Sequence, residues 1–61
     1  MKFKELVDLL KSDGWVLVRQ KGSHQQYHHP EKEGTVTVAG KANKDVPKGT
    51  LNNILKQAKL K

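Results

Sequence analysis

The sequence predicts an α+β domain of order α-β-β-β-α, with a three-stranded antiparallel sheet and two helices on one face. Two observations predict it: an amphipathic helical pattern near each end of the chain, and short strand-like segments separated by turn residues between them. A sheet and two amphipathic helices each have one apolar face to cover, and the economical solution packs both helices on the same side of the sheet. We expect residues 1–61 to form a single domain.

Both helices are predicted from apolar residues that recur at positions i, i+3, i+4 and i+7. In the first helix, over about residues 2–13, these residues are Phe3, Leu6, Val7 and Leu10. Gly14 is well placed to end this helix in the left-handed conformation. The second helix follows Pro47, which the first turn of a helix accepts. Its stripe consists of Leu51, Ile54, Leu55 and Ala58.

The first two strands are predicted to form a hairpin. Residues 15–20 are rich in the β-branched and aromatic residues that favour strands. Because apolar residues follow one another from Trp15 to Val18, the pattern does not assign an inward face to this strand. Gly22 lies in the connection and can adopt a positive φ. The second strand follows, over about residues 24–29.

Alternation predicts which side chains of the second and third strands face the core. If Tyr27 packs inward, His24 and His28 point together towards the opposite face. In the third strand, over about residues 35–38, Val36 and Val38 alternate with threonines and are expected to face inward. Residues 39–45 have no hydrophobic pattern and are expected to form a loop. The face away from the helices would therefore be polar and carry His24, His28, Thr35 and Thr37.

The charge of the chain favours an anionic partner. Twelve Lys and Arg residues against six Asp and Glu residues give a net charge of +6, which is compatible with nucleic acid, an acidic protein or a membrane surface. The chain has no cysteine, so it forms no disulfide and no thiolate metal site. No apolar run approaches the roughly 20 residues that span a bilayer, and the first residues do not resemble a secretory signal. We expect a cytoplasmic location.

All three histidines fall within six positions of one another, close to basic residues. Histidine suits proton transfer near neutral pH, and His24 follows Arg19 and Lys21, so the pattern points to cleavage of a polyanion such as RNA.

A metal site built from the three histidines is not expected. His24 and His28 are separated by about 13 Å along an extended strand, whereas zinc needs each ligating nitrogen within about 2.1 Å. His29 would point to the other face.

Several segments spread along the chain also match a known pattern. In chain order they are Asp13-Gly14-Trp15, Arg19-Gln20-Lys21-Gly22-Ser23-His24, His28-His29-Pro30, Val36-Thr37-Val38, Lys48-Gly49-Thr50-Leu51 and Ile54-Leu55-Lys56-Gln57-Ala58. Together they resemble the HicA family of small toxins, also called YcfA-like. The resemblance implies a fold like that of the double-stranded-RNA-binding domain, and an mRNA-cleaving toxin. No cofactor is expected, because the six acidic residues are scattered along the chain and do not form the cluster that a magnesium site would use. The resemblance also implies inhibition by a HicB-type antitoxin protein.

The resemblance implies that the histidine of Gly-Ser-His, here His24, carries the catalytic activity. Where many relatives have a Pro-x-His-like element after the third strand, this chain has Val38-Ala39-Gly40-Lys41, and it has Lys59 where many have glycine. With one imidazole instead of two, cleavage is expected to be slow. His28 is a possible auxiliary residue, while His29 is expected to pack beside Pro30. The expected RNA-binding residues are Arg19, Lys21, Gly22, Ser23, Lys41, Lys44 and Lys48.

Two other functions remain open on the sequence. The first is a non-catalytic RNA-binding module, which would keep RNA affinity after His24→Ala and give no product in the wild type. The second is an interaction module whose basic face binds an acidic, antitoxin-like protein. Such a module would bind that protein but show no salt-dependent affinity for RNA.

Overall fold

The computed structural model describes all 61 residues and has the predicted α+β fold. Its elements are α1 (Phe3–Ser12), β1 (Val16–Lys21), β2 (His24–His28), β3 (Val36–Ala39) and α2 (Lys48–Gln57). The three strands form one antiparallel sheet in the order β1-β2-β3. The observed order of elements and the antiparallel sheet confirm the prediction, and the boundaries predicted for α1 and the three strands differ from the observed ones by at most one residue.

Both helices end in the same hydrogen-bonded arrangement, a Schellman motif. At the end of α1, the backbone N–H of Gly14 donates to the carbonyl of Lys11, and that of Trp15 donates to the carbonyl of Leu10. Gly14 has a φ of +106°, as expected for the residue that ends such a motif.

Neither helix has the length and apolar character needed to cross a membrane.

The end of α2 repeats this motif with a lysine in the glycine position. The backbone N–H of Lys59 donates to the carbonyl of Lys56, and the backbone N–H of Leu60 donates to the carbonyl of Leu55 at 2.8 Å. Lys59 has a φ of +57°, in the left-handed region that a residue with a Cβ adopts at a cost. The departure from glycine at this position therefore concerns how the helix ends.

One hydrophobic core joins both helices to a single face of the sheet. Tyr27, Val36 and Val38 supply the sheet's contribution and are almost fully buried, as alternation predicts. The remaining core residues come from the two helices and the segments beside them: Phe3, Leu6, Leu10, Trp15, Val46, Ile54 and Ala58. The opposite face of the sheet has no helix against it and presents exposed side chains.

The strand whose faces the sequence does not assign, β1, lies at the edge of the sheet and is exposed along its whole length. Leu17 pairs with Tyr27 and so belongs to the helix-covered face, whereas Val16 pairs with His28 on the open face. The register then shifts between Leu17 and Arg19, which makes Val18 the extra residue of a β-bulge. The bulge explains why no simple alternation is visible in this strand.

Candidate nucleic-acid interface

The open face of the sheet carries the histidine expected to be functional. His24 is the first residue of β2 and is exposed, and it pairs with Lys21 on one side and Ala39 on the other. His28 is exposed as well. The alternation of β2 directs both residues away from Tyr27 and the core, as predicted.

The bulge in β1 determines where two basic side chains point. Under strict alternation, Arg19 and Lys21 would share the helix-covered face with Leu17. The extra residue at Val18 reverses this, so Arg19 pairs with Gln26 and Lys21 pairs with His24. Both cations therefore lie on the open face, and the bulge re-aims side chains as such irregularities do near functional sites.

These side chains surround a polar depression, defined here by its four lining residues, Arg19, Lys21, His24 and Gln26. It has a volume of about 480 Å³ and no apolar residue in its lining. Gln26 is not among the residues expected from the sequence. The signal that could have found it is the alternation of β2, which places Gln26 on the same face as His24.

The turn before β2 brings the loop after β3 close to the depression. Gly22 has a φ of +60° at this turn, which suits glycine. The carbonyl of the adjacent Ser23 accepts a hydrogen bond from the backbone N–H of Gly40 at 3.2 Å. Lys41, one of the expected phosphate-binding residues, therefore begins its loop beside the β1–β2 turn.

The other two expected lysines lie elsewhere in the fold. The carbonyl of Lys44 accepts a hydrogen bond from the backbone N–H of Phe3, at the start of α1. Lys48 is the first residue of α2. Both side chains are exposed, and neither lines the polar depression.

His28 and His29 occupy different environments from that of His24. The Nε2 atom of His28 lies 3.0 Å from the hydroxyl of Thr35, and His28 does not line the depression. The side chain of His29 is only 7% exposed. His29 does pack at the end of the strand, as expected, but its aromatic partner is Trp15.

The hydrogen bonds of His29 define its tautomer. The backbone N–H groups of Glu31 and Lys32 both donate to Nδ1, at 2.9 and 3.2 Å. Because Nδ1 accepts, Nε2 carries the proton and donates to the carbonyl of Asp13 at 2.7 Å. Both ring nitrogens are thus occupied, and His29 serves the structure of the loop between β2 and β3.

Lys32 completes this contact between the loop and the two helices. Its Nζ donates to the carboxylate of Asp13 and to the carbonyl of Ala58. The hydrogen bond from Lys32 lowers the pKa of Asp13 below its usual value.

Elsewhere, burial raises the pKa of Tyr27, whose hydroxyl donates to the side chain of Gln25 at 2.7 Å. Neither perturbed group lines the depression.

The donor groups of the chain do not gather into a metal site. No group of three or more histidine, aspartate or glutamate side chains is close enough together to hold an ion. The lining of the polar depression contains no carboxylate.

Comparison with known proteins identifies the family. A family model described as the HicA toxin of bacterial toxin–antitoxin systems matches residues 3–60, nearly the whole chain. No match was found among curated proteins. The chain therefore belongs to the HicA toxin family, whose members are the toxins of toxin–antitoxin pairs.

Proposed function

We propose that this toxin is an endoribonuclease that cleaves mRNA, with His24 as its proton-transfer residue. The observation that carries the proposal is the polar depression, which combines one exposed imidazole with two cations and an amide. An imidazole beside fixed positive charge suits the cleavage of a phosphodiester. An mRNA substrate would place the protein in the cytoplasm.

The reaction uses the nucleophile that RNA itself supplies. The 2′-hydroxyl attacks the adjacent phosphorus, the bond from phosphorus to the 5′-oxygen breaks, and a 2′,3′-cyclic phosphate forms. His24 transfers a proton in this step, either from the 2′-hydroxyl or to the departing 5′-oxygen. Such general acid–base help typically contributes about 10²–10⁴-fold to the rate. With one imidazole in the depression, the other proton passes to or from water, and we expect a slow nuclease.

The neighbours of His24 have separate roles in this proposal. Arg19 and Lys21 stabilise the negative charge that accumulates on the phosphate, since cations aimed at developing charge lower the barrier. The guanidinium of Arg19 can engage two phosphate oxygens at once, whereas the ammonium of Lys21 acts as a point charge. Gln26 offers an amide donor and acceptor for a base edge or a ribose hydroxyl. Lys41 extends the phosphate-binding surface beyond the turn.

Inhibition is proposed to come from the antitoxin partner that family membership implies. An acidic HicB-type protein would cover His24 together with Arg19 and Lys21. Complementary charge speeds encounter and disfavours wrong partners. The net charge of +6 favours an acidic partner of this kind.

The experiment that tests the proposed chemistry is cleavage of one purified transcript with and without EDTA. We expect equal cleavage in both, because the depression has no carboxylates to hold a metal. The 3′ ends should carry a 2′,3′-cyclic phosphate or its hydrolysed form. Activity that disappears in EDTA and returns with added magnesium would contradict the mechanism. Salt-dependent RNA binding without any product would instead identify a non-catalytic RNA-binding module.

A further inference from the structure

The edge strand β1 presents an unpaired backbone beside exposed apolar side chains. It pairs with β2 on one side only, so the N–H and C=O groups along its outer side have no strand partner. Val16 and Val18 are 56% and 52% exposed, and Leu17 is 37% exposed. Such an edge is a template on which another strand can form main-chain hydrogen bonds.

The other edge strand, β3, also pairs on one side only, but it lacks exposed large apolar side chains. In β3 the apolar residues Val36 and Val38 face the core and are almost fully buried. The exposed residues of β3 are Thr37 and Ala39, which are small or polar. Apolar exposure is therefore specific to the β1 edge.

A groove lies between α1 and the helix-covered face of the sheet. All three strands and the loop after β3 contribute to its lining, and Leu17 is the residue that β1 supplies. The groove has a volume of about 220 Å³. Val7 of α1 and Leu17 of β1 contribute to its apolar lining. Lys4, Asp8 and Lys11 also line it from α1, which gives the groove an excess of positive charge. Leu17 belongs to both features, so the unpaired edge and the groove form one continuous surface.

We propose that the β1 edge and the α1–β1 groove bind an extended segment of an acidic partner protein by β-strand addition. Alternate side chains of an added strand point to opposite faces of the sheet. On one face, apolar side chains would enter the groove beside Leu17. On the other face, acidic side chains would reach Arg19 and Lys21.

Charge argues for an acidic partner over a second copy of the chain. Pairing two β1 edges would bring together two molecules of net charge +6. It would also place Arg19 and Lys21 of both copies along the same interface, and like charges on paired strands are destabilising. An acidic strand meets the same cations with favourable charge. The proposal does not require His24 to be catalytic, so a failure of one idea leaves the other standing.

The test uses a peptide of the same length as β1, made of alternating glutamate and valine, with the wild-type protein. Amide hydrogen exchange is measured residue by residue, and Kd is measured by titration. Two control peptides are a lysine–valine counterpart and a glutamate–valine peptide with backbone N-methylation, which removes the N–H donors needed for strand pairing.

Two protein variants provide a matched comparison. Leu17 and Leu9 are both 37% exposed, but only Leu17 lines the groove. Leu17→Lys should raise Kd at least about tenfold, while Leu9→Lys leaves it unchanged. If Leu17→Lys fails to fold, Val18→Lys takes its place, since Val18 is more exposed.

At a peptide concentration about ten times Kd, exchange of the outward-facing β1 amides should slow about tenfold. The N-methylated and lysine–valine peptides should give no protection. Absence of β1 protection at millimolar peptide would overturn the proposal, as would equal binding by the N-methylated peptide. Slower amide exchange at β3 instead of β1 would also overturn it. Slower exchange at β1 without peptide, in a protein that self-associates, would overturn it as well.

Discussion

The imidazole of His29 lies edge-on to the indole of Trp15, with 5.3 Å between the ring centroids and 70° between the ring planes. Trp15 follows the end of α1 and is 2% exposed, while His29 follows β2. Aromatic pairs favour this arrangement. Together with the hydrogen bonds of His29, the contact joins the end of α1 to the loop between β2 and β3.

We predict that His29→Ala destabilises the fold by about 2–3 kcal/mol, because it removes a buried ring and leaves backbone donors without their acceptor. That is a large part of the stability of a domain of this size, which is on the order of 3–9 kcal/mol. The measurement is urea unfolding. The matched variant is His28→Ala, at the exposed last residue of β2, which should change stability by less than about 0.5 kcal/mol. Equal effects of the two variants would show that the contact with Trp15 does not stabilise the fold.

The ion pair between Lys32 and Asp13 should make the stability of the fold depend on pH in the acidic range. Because Lys32 lowers the pKa of folded Asp13 below 3.8, the pair stabilises the folded state fully above the unfolded pKa. This stabilisation is lost as the pH falls through the folded pKa. The difference in unfolding free energy between wild type and Lys32→Met should therefore be constant near neutral pH and shrink below about pH 4.

The contact of Lys32 with Ala58 should leave a residual difference between the two proteins in acid, since that contact does not titrate with Asp13. Added salt should reduce the pH-dependent part, because Asp13 and Lys32 are both partly exposed. Unfolding curves at a series of pH values make the comparison. A difference that grew on acidification would contradict the assignment.

The two Schellman motifs predict opposite effects of glycine and a side chain. Lys59→Gly should stabilise the fold by roughly 0.5–1 kcal/mol, because glycine adopts a positive φ without a Cβ penalty. Gly14→Ala should destabilise it by more than 1–2 kcal/mol, roughly the cost of the left-handed conformation alone. The added Cβ would also lie 2.7 Å from Nε2 of His29.

Gly22→Ala is the matched control for Gly14→Ala. Gly22 also has a positive φ, but a Cβ there would meet nothing within 4 Å. Gly22→Ala should therefore lower the free energy of unfolding only by the cost of holding alanine at a positive φ. Thermal melts of the three variants against wild type make the measurement. If Gly14→Ala and Gly22→Ala lower the free energy of unfolding equally, the close approach of His29 to Gly14 does not affect stability.

Much of the fold follows from local pattern, whereas contacts distant in sequence do not. The apolar spacing of α1 and the alternation of β3 predict the helix and the inward valines because burial on one face imposes a period. The faces of β1 could not be predicted, since the bulge at Val18 interrupts the period. No local signal links His29 to Trp15 and Asp13, because that contact depends on how the loop packs.

The same limit applies to the site. The sequence places His24 on the open face, and it suggests nearby cations without showing which ones share that face. The bulge brings Arg19 and Lys21 to His24, whereas the backbone contacts of Lys44 and the position of Lys48 tie them to the helix starts. The roles of all these residues in RNA binding stay predictions.

The basic residues of the polar depression predict a salt-dependent affinity for RNA. Arg19→Ala and Lys21→Ala should each weaken binding of single-stranded RNA and reduce the slope of log K against log salt by about 0.7, the loss of one phosphate contact. Lys56→Ala is the charge-matched control, since Lys56 is exposed in the last turn of α2 and does not line the depression. Equal loss in all three variants would indicate that net charge alone governs RNA affinity.

The central claim is tested most directly by the rate at which purified wild type and His24→Ala cleave one defined transcript. We predict that His24→Ala lowers the rate by about 10²–10⁴-fold, with stability changed by less than about 0.5 kcal/mol because His24 is exposed. His28→Ala, the same substitution on the same strand and face, should cleave within about tenfold of the wild-type rate. Cleavage by His24→Ala at the wild-type rate would remove His24 from the mechanism.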